Sequence, residues 1–375
     1  MPPPIPLSGA AAWYSEGSQS GSASSSAKRG LSASQACSGD AAAAIVAWTS
    51  ATNERTTGVS RTNSSLIAAD SDPTCLQIGR RTVRLTHPDR VLFPRDGVTK
   101  GDLAEYYTEI GDVIVPHLRD RPFTLKRYPH GIDGQAYFHK QAPKGKPEWI
   151  PTRQFRTWPR EGESRLVDFT LVNETAALVW MVQMNCVDMN AWYSRVDKPD
   201  RPDYVVFDLD PPDSRNGFAQ AIRVAHLIRE ALEELGLRSY PKTSGADGIH
   251  VLVPITRRSS YRDTYDLAEL VSRGLETENP GLVTTEWLKK KRRGVLVDHR
   301  QNGHGKTIAS AYSVRPKPGA PVSTPLRWEE LGEKVRPRDF GRREALQRVE
   351  KHGDLFEPVL RGGQALGPAL RRLRT

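Results

Sequence analysis

The sequence predicts an α+β protein, and three observations support this fold class. Short apolar runs that end near Pro, Gly or Asp predict strands throughout the chain after about residue 77. Longer stretches with a helical period lie between some of these runs. The two kinds of element alternate without the regularity of a doubly wound parallel sheet, which favours α+β over a Rossmann-type fold.

Turn and cap residues set the order of the predicted elements. Alternating or apolar runs predict strands over Thr82–Thr86, Phe123–Tyr128, Ala136–Lys140, Arg165–Val172, Val187–Trp192, Tyr204–Asp210, Ser239–Thr243, Ile249–Ile255, Val295–Asp298 and Thr307–Val314. Amphipathic periods predict helices over Leu103–Ile114, Glu174–Met184, Phe218–Leu235 and Tyr261–Glu278. Thr99 and Asp102 resemble a capping box before the first helix, and Asn173 suits the N-cap of the second.

The first part of the chain differs in composition from the rest. Residues 1–76 are rich in Ala, Ser, Gly and Thr and sustain no structural period, so we predict a disordered tail. Residues 77–375 are predicted to form one ordered domain, which is helical and basic from about residue 327. The tail contains an apolar patch too short to span a bilayer and lacks the basic start of a signal peptide. We therefore expect a cytoplasmic protein with no membrane partner.

The charge balance points to a polyanionic partner. The formal net charge at pH 7 is +10 and the isoelectric point is about 9.5, which favours nucleic acid or an anionic surface and says nothing about fold. Basic residues cluster near Lys126 and Lys140, with Phe138 among them, and this combination fits a phosphate channel with a base-stacking platform. A second basic cluster, Lys289–Arg293, is better interpreted as a solvated surface for most of its members.

The stretch Tyr204–Pro212, YVVFDLDPP, places two acids at the end of an apolar run. Because successive side chains on a strand alternate between its faces, Asp208 and Asp210 share one face, roughly 7 Å apart. Like charges persist at a buried strand end only with a cation between them, and oxygen ligands suit Mg²⁺ or Mn²⁺. A metal site is therefore favoured over two solvated acids that prevent edge pairing.

Asp298 ends a second apolar run, VLVD, as Asp208 ends VVFD. Three carboxylates at strand ends would make a two-metal site, able to activate a hydroxyl and stabilise a leaving pyrophosphate. From its local sequence alone, Asp298 fits a solvated strand end equally well.

The segment Ser244–His250, SGADGIH, lies between two predicted strands. Gly245 and Gly248 permit positive φ, so successive N–H groups can converge on an anion such as phosphate. A tight hairpin with a hydrogen-bonded His250 is the competing interpretation, and the loop alone favours it.

Together, DLD at Asp208–Asp210, SGADGIH, and LVD ending at Asp298 resemble the three motifs of the archaeo-eukaryotic primase superfamily in order and spacing. More closely, the chain resembles the primase-polymerase domain of bacterial DNA ligase D from about Val83 to about Glu357. The segments that carry this resemblance are LTHPDRVLFP, VTKGDLAEYY, RPFTLKRYPHG, YFHKQAP, YVVFDLDPP, TSGADGIHV and TIASAYSVR. The sequence contains no segment that resembles a ligase or a nuclease, so the chain resembles a stand-alone member of the family. The segment VDMNAWYSR resembles the free-standing group associated with ligase C.

The resemblance implies an archaeo-eukaryotic primase-like fold, with central β-sheets flanked by helices and residues 77–375 as the catalytic domain. It implies a DNA-dependent DNA/RNA polymerase that adds nucleotides, preferentially ribonucleotides, by two-metal transfer with Mn²⁺ or Mg²⁺. The setting would be DNA repair, as short gap filling or non-homologous end joining. The implied partners are gapped, nicked or broken DNA, NTPs or dNTPs, a separate ATP-dependent DNA ligase and a Ku-type end-binding protein, in the nucleoid-associated cytoplasm of a bacterium.

The resemblance also implies roles for individual residues. The catalytic and metal-binding set is Asp208, Asp210 and Asp298, the last also near the primer 3′ hydroxyl. The nucleotide-binding set comprises triphosphate, base and sugar contacts from Lys126, Phe138, Asn190, Ser244, His250 and Arg315. The set that would hold the downstream 5′ phosphate of a gap is His87, Arg90 and Lys100.

Several positions depart from the family pattern. Asn190 stands where relatives often carry a His near the sugar, which weakens the expectation of ribonucleotide preference. Asp247 stands where a phosphate-binding Lys can occur, and an acid there should weaken one triphosphate contact. His87 and Arg90 replace Asn and Lys types. Arg keeps the charge and bidentate geometry for phosphate, whereas His is only partly charged near neutral pH.

Two other functions stay open. Paired acids at strand ends serve hydrolysis as well as transfer, so a two-metal DNA phosphodiesterase or nuclease is one alternative. Such an enzyme has no use for a triphosphate-binding loop. The other alternative is a non-catalytic DNA-end-binding module that uses the basic patches and the 5′-phosphate residues.

Overall fold

The computed structural model describes residues 74–157, 164–332 and 334–374. The predicted tail therefore lies outside the described residues, except for its last three positions. The strands are β1 (Thr74–Ile78), β2 (Arg81–Leu85), β3 (Val91–Phe93), β4 (Val98–Thr99), β5 (Phe123–Arg127), β6 (Tyr137–His139), β7 (Thr152–Thr157), β8 (Arg165–Thr170), β9 (Cys186–Trp192), β10 (Tyr204–Asp210), β11 (Tyr240–Thr243), β12 (Ile249–Pro254), β13 (Val283–Thr284), β14 (Val295–Val297) and β15 (Thr307–Ala309). The helices are α1 (Lys100–Glu109), α2 (Gly111–Leu118), α3 (Thr175–Gln183), α4 (Gly217–Glu234), α5 (Tyr261–Glu278), α6 (Arg342–His352), α7 (Glu357–Arg361) and α8 (Leu366–Arg374).

The chain divides into two compact units. One unit comprises Ala68–Arg153 and Asp168–Thr375, and its described residues contain both hydrophobic cores. Of the other unit, the structure describes residues 154–157 and 164–167, where Arg156 Nη1 donates to Ser164 Oγ at 3.0 Å.

A five-stranded sheet with the order β11-β12-β10-β14-β13 has β10 at its centre. Strand β10 pairs antiparallel with β12 on one side and with β14 on the other. Its alternating pattern follows from YVVFDL, because Val205, Phe207 and Leu209 join the core that α4 and α5 cover. Val206 and Asp208 lie on the opposite face.

A second sheet contains the order β15-β9-β5-β8, and β6 pairs with β5. This sheet and helices α1–α3 enclose the other core, to which Val206 and Leu252 of the five-stranded sheet also belong. Asp208 therefore projects from β10 towards the core that the second sheet and helices α1–α3 enclose. Two further two-stranded ribbons are β1-β2 and β3-β4.

The start of α1 follows the predicted capping box. Thr99 Oγ1 accepts a hydrogen bond from the Asp102 N–H at 3.1 Å, and Asp102 Oδ2 accepts one from the Thr99 N–H at 2.8 Å. The single helix predicted over Leu103–Ile114 is wrong, because the chain forms α1 and α2 with a break at Ile110. Gly111 begins α2 where a Cβ would lie 2.3 Å from Thr175 Cγ2, so the close approach to α3 requires glycine at this point.

The start of α3 differs by one residue from the prediction. Its N-cap is Glu174, because the side chain of Asn173 is used elsewhere. Asn173 Oδ1 accepts from the Asp120 N–H at 2.8 Å, and Asn173 Nδ2 donates to Asp120 Oδ1 at 2.7 Å. In the C-terminal part, a 3-10 turn spans Trp328–Glu330 and the first α-helix begins at Arg342. No helix within the described ranges combines the length and the apolarity that crossing a bilayer requires.

Candidate active site

Asp208 and Asp298 face each other across neighbouring strands. The antiparallel register pairs Leu209 with Val297, and the Asp298 N–H donates to the Asp208 carbonyl at 2.8 Å. Directly opposite residues on antiparallel strands project to the same face with Cβ atoms about 5 Å apart. The structure thus brings together the two acids whose meeting the local sequence left open.

The two facing carboxyls have pKa values shifted in opposite directions. Burial alone would raise the pKa of Asp208, but the hydrogen bond from His250, with the charges of Arg315 and Lys242, outweighs it and lowers the pKa. Burial and then the Asp208 carboxylate raise the pKa of Asp298. A cation bound between the two would relieve the repulsion that raises the second pKa.

Asp210 ends β10 with its side chain 53% exposed and forms an ion pair with Arg292. Arg292 is itself held by the Trp287 carbonyl, to which its Nη2 donates at 2.9 Å. Within the described ranges, no three His, Cys, Asp or Glu side chains converge closely enough to hold a metal ion in this arrangement. All three acids supply oxygen ligands of the kind that hard divalent cations prefer, although Asp210 is paired with Arg292 in this structure.

A buried lysine that sequence reasoning missed supports His250. Lys242 Nζ lies 2.6 Å from His250 Nδ1, 3.0 Å from the Ala309 carbonyl and 2.5 Å from Ser323 Oγ. Three acceptors match the three hydrogens of an ammonium group, although burial and the charge of Arg315 lower the pKa of Lys242 well below its usual value. The available sequence signal was a lysine inside an otherwise buried strand.

His250 is neutral and directs its N–H towards Asp208. Burial and then Lys242 lower the pKa of His250 to about 4. Because Nδ1 faces the lysine donor, the ring hydrogen is on Nε2, which lies 3.3 Å from Asp208 Oδ1. The imidazole therefore supplies a fixed donor on the same sheet face as the two acids.

The glycine loop has the geometry of the tight hairpin that competed with the phosphate interpretation. Ser244 Oγ accepts from the N–H groups of Ala246 and Gly248, both at 3.0 Å, and the Ser244 N–H donates to the Gly248 carbonyl at 2.9 Å. A Cβ on Gly248 would lie 2.1 Å from the Leu209 carbonyl, so packing against β10 requires glycine. The loop is thereby fixed directly beside the strand that carries the acids.

Two cations predicted to bind the nucleotide converge on a buried acid that the sequence did not single out. Lys126 Nζ lies 3.6 Å and Arg315 Nε 4.0 Å from Asp188 Oδ2, and Asp188 is 2% exposed. Arg315 Nη1 also donates to the Ser244 carbonyl at 2.5 Å. Asp188 therefore holds positive charge beside the glycine loop, although β5 and the Arg315 segment are distant in sequence.

Phe138 and Asn190 lie near the same acid. Phe138 is 48% exposed on β6, and Lys126 Nζ lies 5.4 Å from its ring centroid. Asn190 lies on β9 and its Nδ2 donates to the Asp188 carbonyl at 3.2 Å. The predicted stacking surface and the predicted sugar contact are therefore both next to the positive charge.

The residues predicted to hold a 5′ phosphate lie together, at the turn before β3 and the start of α1. His87 has a φ of 51°, and the Arg90 N–H donates to its carbonyl at 3.1 Å. Lys100 is buried, and its Nζ donates to the Thr86 carbonyl at 2.9 Å and to Gln183 Oε1 at 2.8 Å. Burial and then Arg90 lower the pKa of Lys100 to about 8. The side chain of Lys100 is therefore bonded inside the fold, where burial disfavours its charged form.

Comparison with known proteins identifies the family. The family model described as "LigD, primase-polymerase domain" matches residues 99–356. The chain is 34% identical over 281 residues to the multifunctional non-homologous end joining protein LigD of Mycolicibacterium smegmatis, covering 74% of this chain and 36% of that protein. It is 30% identical over 284 residues to the bifunctional non-homologous end joining protein LigD of Bacillus subtilis, covering 75% of this chain and 45% of that protein. The chain thus spans less than half the length of these relatives.

The fold has a solved counterpart. The polymerase domain from Mycobacterium tuberculosis ligase D, determined in complex with DNA, superposes with a TM-score of 0.67 at 32% identity. The match covers 74% of this chain and 98% of that one. The predicted α+β, archaeo-eukaryotic primase-like fold and the nucleotidyltransferase class are confirmed. The chain therefore belongs to the LigD primase-polymerase domain family.

Proposed function

We propose that the protein is a template-directed nucleotidyltransferase that adds nucleotides at gaps or ends of DNA during repair. The observation that carries this proposal is the opposition of Asp208 and Asp298 beside a fixed loop and a set of held cations. The description of the related proteins as end-joining proteins and of the solved counterpart as a polymerase domain with DNA adds support.

The acids Asp208, Asp210 and Asp298 would hold two divalent cations, Mn²⁺ or Mg²⁺. When bound, such ions activate a 3′ hydroxyl for attack on the α-phosphate and stabilise departing pyrophosphate. The chain's own residues would bind and orient the nucleotide around this centre. Arg315 and Lys126 place positive charge for the triphosphate, and His250 presents a donor from its Nε2.

The exposed ring of Phe138 would stack on a base, and its neighbour Lys126 would face the adjoining phosphates. Asn190 would contact the sugar through its amide, which has both donors and an acceptor for a ribose hydroxyl. Preference for ribonucleotides is proposed from membership of the family and not from Asn190, which replaces the His that relatives often carry near the sugar. His87 and Arg90 would meet the downstream 5′ phosphate, where Arg90 offers the fork geometry that suits phosphate.

Nucleotidyl transfer into a gap ends at a nick, which this chemistry does not seal. We therefore include a separate ATP-dependent DNA ligase among the partners, with a Ku-type protein that holds the ends. The site of action would be the nucleoid-associated cytoplasm of a bacterium.

Extension of a gapped duplex tests the proposal. Substrates with and without a downstream 5′ phosphate are incubated with Mn²⁺ or Mg²⁺ and with ribo- or deoxyribonucleotides in parallel. We expect primer lengthening that requires nucleotide, is faster with ribonucleotides and is stimulated by the 5′ phosphate. Shortening of the DNA without nucleotide would instead indicate a nuclease. Binding to ends with no reaction under any condition would indicate a non-catalytic end-binding module.

A further inference from the structure

An exposed lysine, Lys317, forms an ion pair with Asp247, the acid in the glycine loop that departs from the family pattern. Lys317 Nζ lies 2.8 Å from Asp247 Oδ2, and Asp247 belongs to the loop Ser244–His250. The side chain of Lys317 is 44% exposed and that of Asp247 is 68% exposed. Exposed ion pairs of this kind contribute little to stability, so stability is a weak explanation for the contact.

The main chain brings Lys317 to the loop. The Lys317 N–H donates to the Arg315 carbonyl at 2.8 Å, and the Ala320 N–H donates to the Lys317 carbonyl at 3.0 Å. The Gly319 N–H donates to Asp96 Oδ2 at 2.7 Å, while Arg315 is bonded to the Ser244 carbonyl. The turn is thus fixed on both sides, and Asp247 only has to orient the lysine side chain.

Charge explains what this orientation achieves. An isolated acid in the loop would repel a triphosphate, whereas the pair of Asp247 and Lys317 carries no net charge and places an ammonium group at the edge of the loop. Both side chains reach solvent, so the ammonium can turn from the carboxylate to a phosphate oxygen with little rearrangement. We propose that Lys317 contacts the triphosphate of the incoming nucleotide and that Asp247 is a positioning residue that holds Lys317 there. This inference rests on the proposed function.

The test measures nucleotide KM and kcat on the gapped duplex with the full chain, together with DNA affinity. Removal of a charge-assisted contact by Lys317→Ala should raise the nucleotide KM about tenfold, with kcat and DNA affinity nearly unchanged. Binding of the mono-, di- and triphosphate of one nucleoside should show the loss for the triphosphate and none for the monophosphate. Lys351→Ala removes the same charge from α6 and serves as the matched control, with unchanged KM.

The sign of the effect of Asp247 separates positioning from simple repulsion. Asp247→Ala should raise the nucleotide KM although it removes a negative charge near a polyanion. In the Lys317→Ala background the same substitution should lower the KM, because only repulsion is left to remove. Asp247→Lys in that background should restore most of the lost affinity by placing an ammonium directly in the loop.

Each contrary result has a distinct meaning. If Asp247→Ala lowers the KM in the wild-type background, or Lys317→Ala leaves it unchanged, the inference is overturned while the proposed function stands. If Lys317→Ala weakens DNA binding and leaves triphosphate binding intact, Lys317 contacts DNA and the inference is likewise overturned. Failure of the wild-type chain to bind nucleotide and to extend a primer overturns both.

Discussion

Asp298 donates its main-chain N–H to the carbonyl of Asp208 at 2.8 Å, so the two carboxylates stand opposite each other on adjacent strands. This one hydrogen bond connects two strand ends that are far apart in sequence. The two pKa values shift in opposite directions, because burial and then the Asp208 charge raise that of Asp298, while the His250 hydrogen bond and nearby cations outweigh burial at Asp208.

Loss of one acid should abolish nucleotide addition without loss of DNA binding. Asp208→Asn keeps the size of the side chain and removes a metal-ligating charge, so we expect extension of a gapped primer to fall by about a thousandfold or more. Affinity for the gapped duplex, measured without nucleotide, should change little. Extension by Asp208→Asn at a normal rate would rule out the assigned site.

The same two positions should affect stability in opposite directions. A carboxyl with a raised folded-state pKa is more stable protonated, so ionised Asp298 costs stability above that pKa. Without divalent metal at neutral pH, Asp298→Asn should raise the Tm by roughly 1–2 °C, even though extension is lost. Asp208 has the opposite shift, and its contribution is present above the unfolded-state pKa and lost as pH falls through the folded one.

Asp208→Asn should accordingly lower the Tm by a similar amount, roughly 1–2 °C, under the same conditions. Calorimetry of the wild type and both variants in a metal chelator checks the pair. Equal shifts of the same sign would contradict the assigned roles of His250 and Asp208 in setting the two pKa values.

Lys100 should show its burial through pH. Its pKa is lowered to about 8, so between that value and the usual lysine pKa the unfolded chain holds more protons. Stability from this group therefore rises with pH across that range. The deficit in Tm of Lys100→Met relative to the wild type should widen by roughly 2–4 °C between pH 7 and pH 9. A deficit that stays constant or narrows would show that Lys100 titrates normally.

Phe138 should contribute to nucleotide binding and little to stability. Its ring is half-exposed beside Lys126, so Phe138→Ala removes a stacking surface without opening a cavity. We expect the nucleotide KM to rise by about tenfold or more and the Tm to stay unchanged. Phe138→Trp keeps an aromatic face and is the matched control. A normal KM for Phe138→Ala would place base stacking elsewhere.

Features that depend on neighbouring residues were predictable from the sequence. The strand YVVFDLD follows from an apolar run that ends at two prolines. Because side chains alternate along a strand, Asp208 and the buried Phe207 lie on opposite faces of the sheet. The capping box at Thr99 is likewise local, and the structure reproduces it. The three-motif pattern was also sufficient to recognise the family.

Errors and omissions arise where distant parts of the chain compete for a group. Asn173 is a good N-cap by type, but Asp120 takes its side chain. Lys100 is buried and donates to Thr86 and Gln183, and its local sequence indicates neither partner. The residues next to Asn173 and Lys100 in the sequence do not indicate these partners, because contacts between distant segments depend on how the elements pack in the folded chain.

The sequence by itself determined the fold class and the family and identified the candidate acids, since strand period and motif order can be read from neighbouring residues. Only the tertiary structure decided that Asp298 meets Asp208, since strand register is set by side-chain packing across the sheet. Only it revealed the buried Lys242 behind His250 and the Lys317–Asp247 pair at the loop. These contacts join groups whose charges act over a few ångströms in space, whatever their separation along the chain.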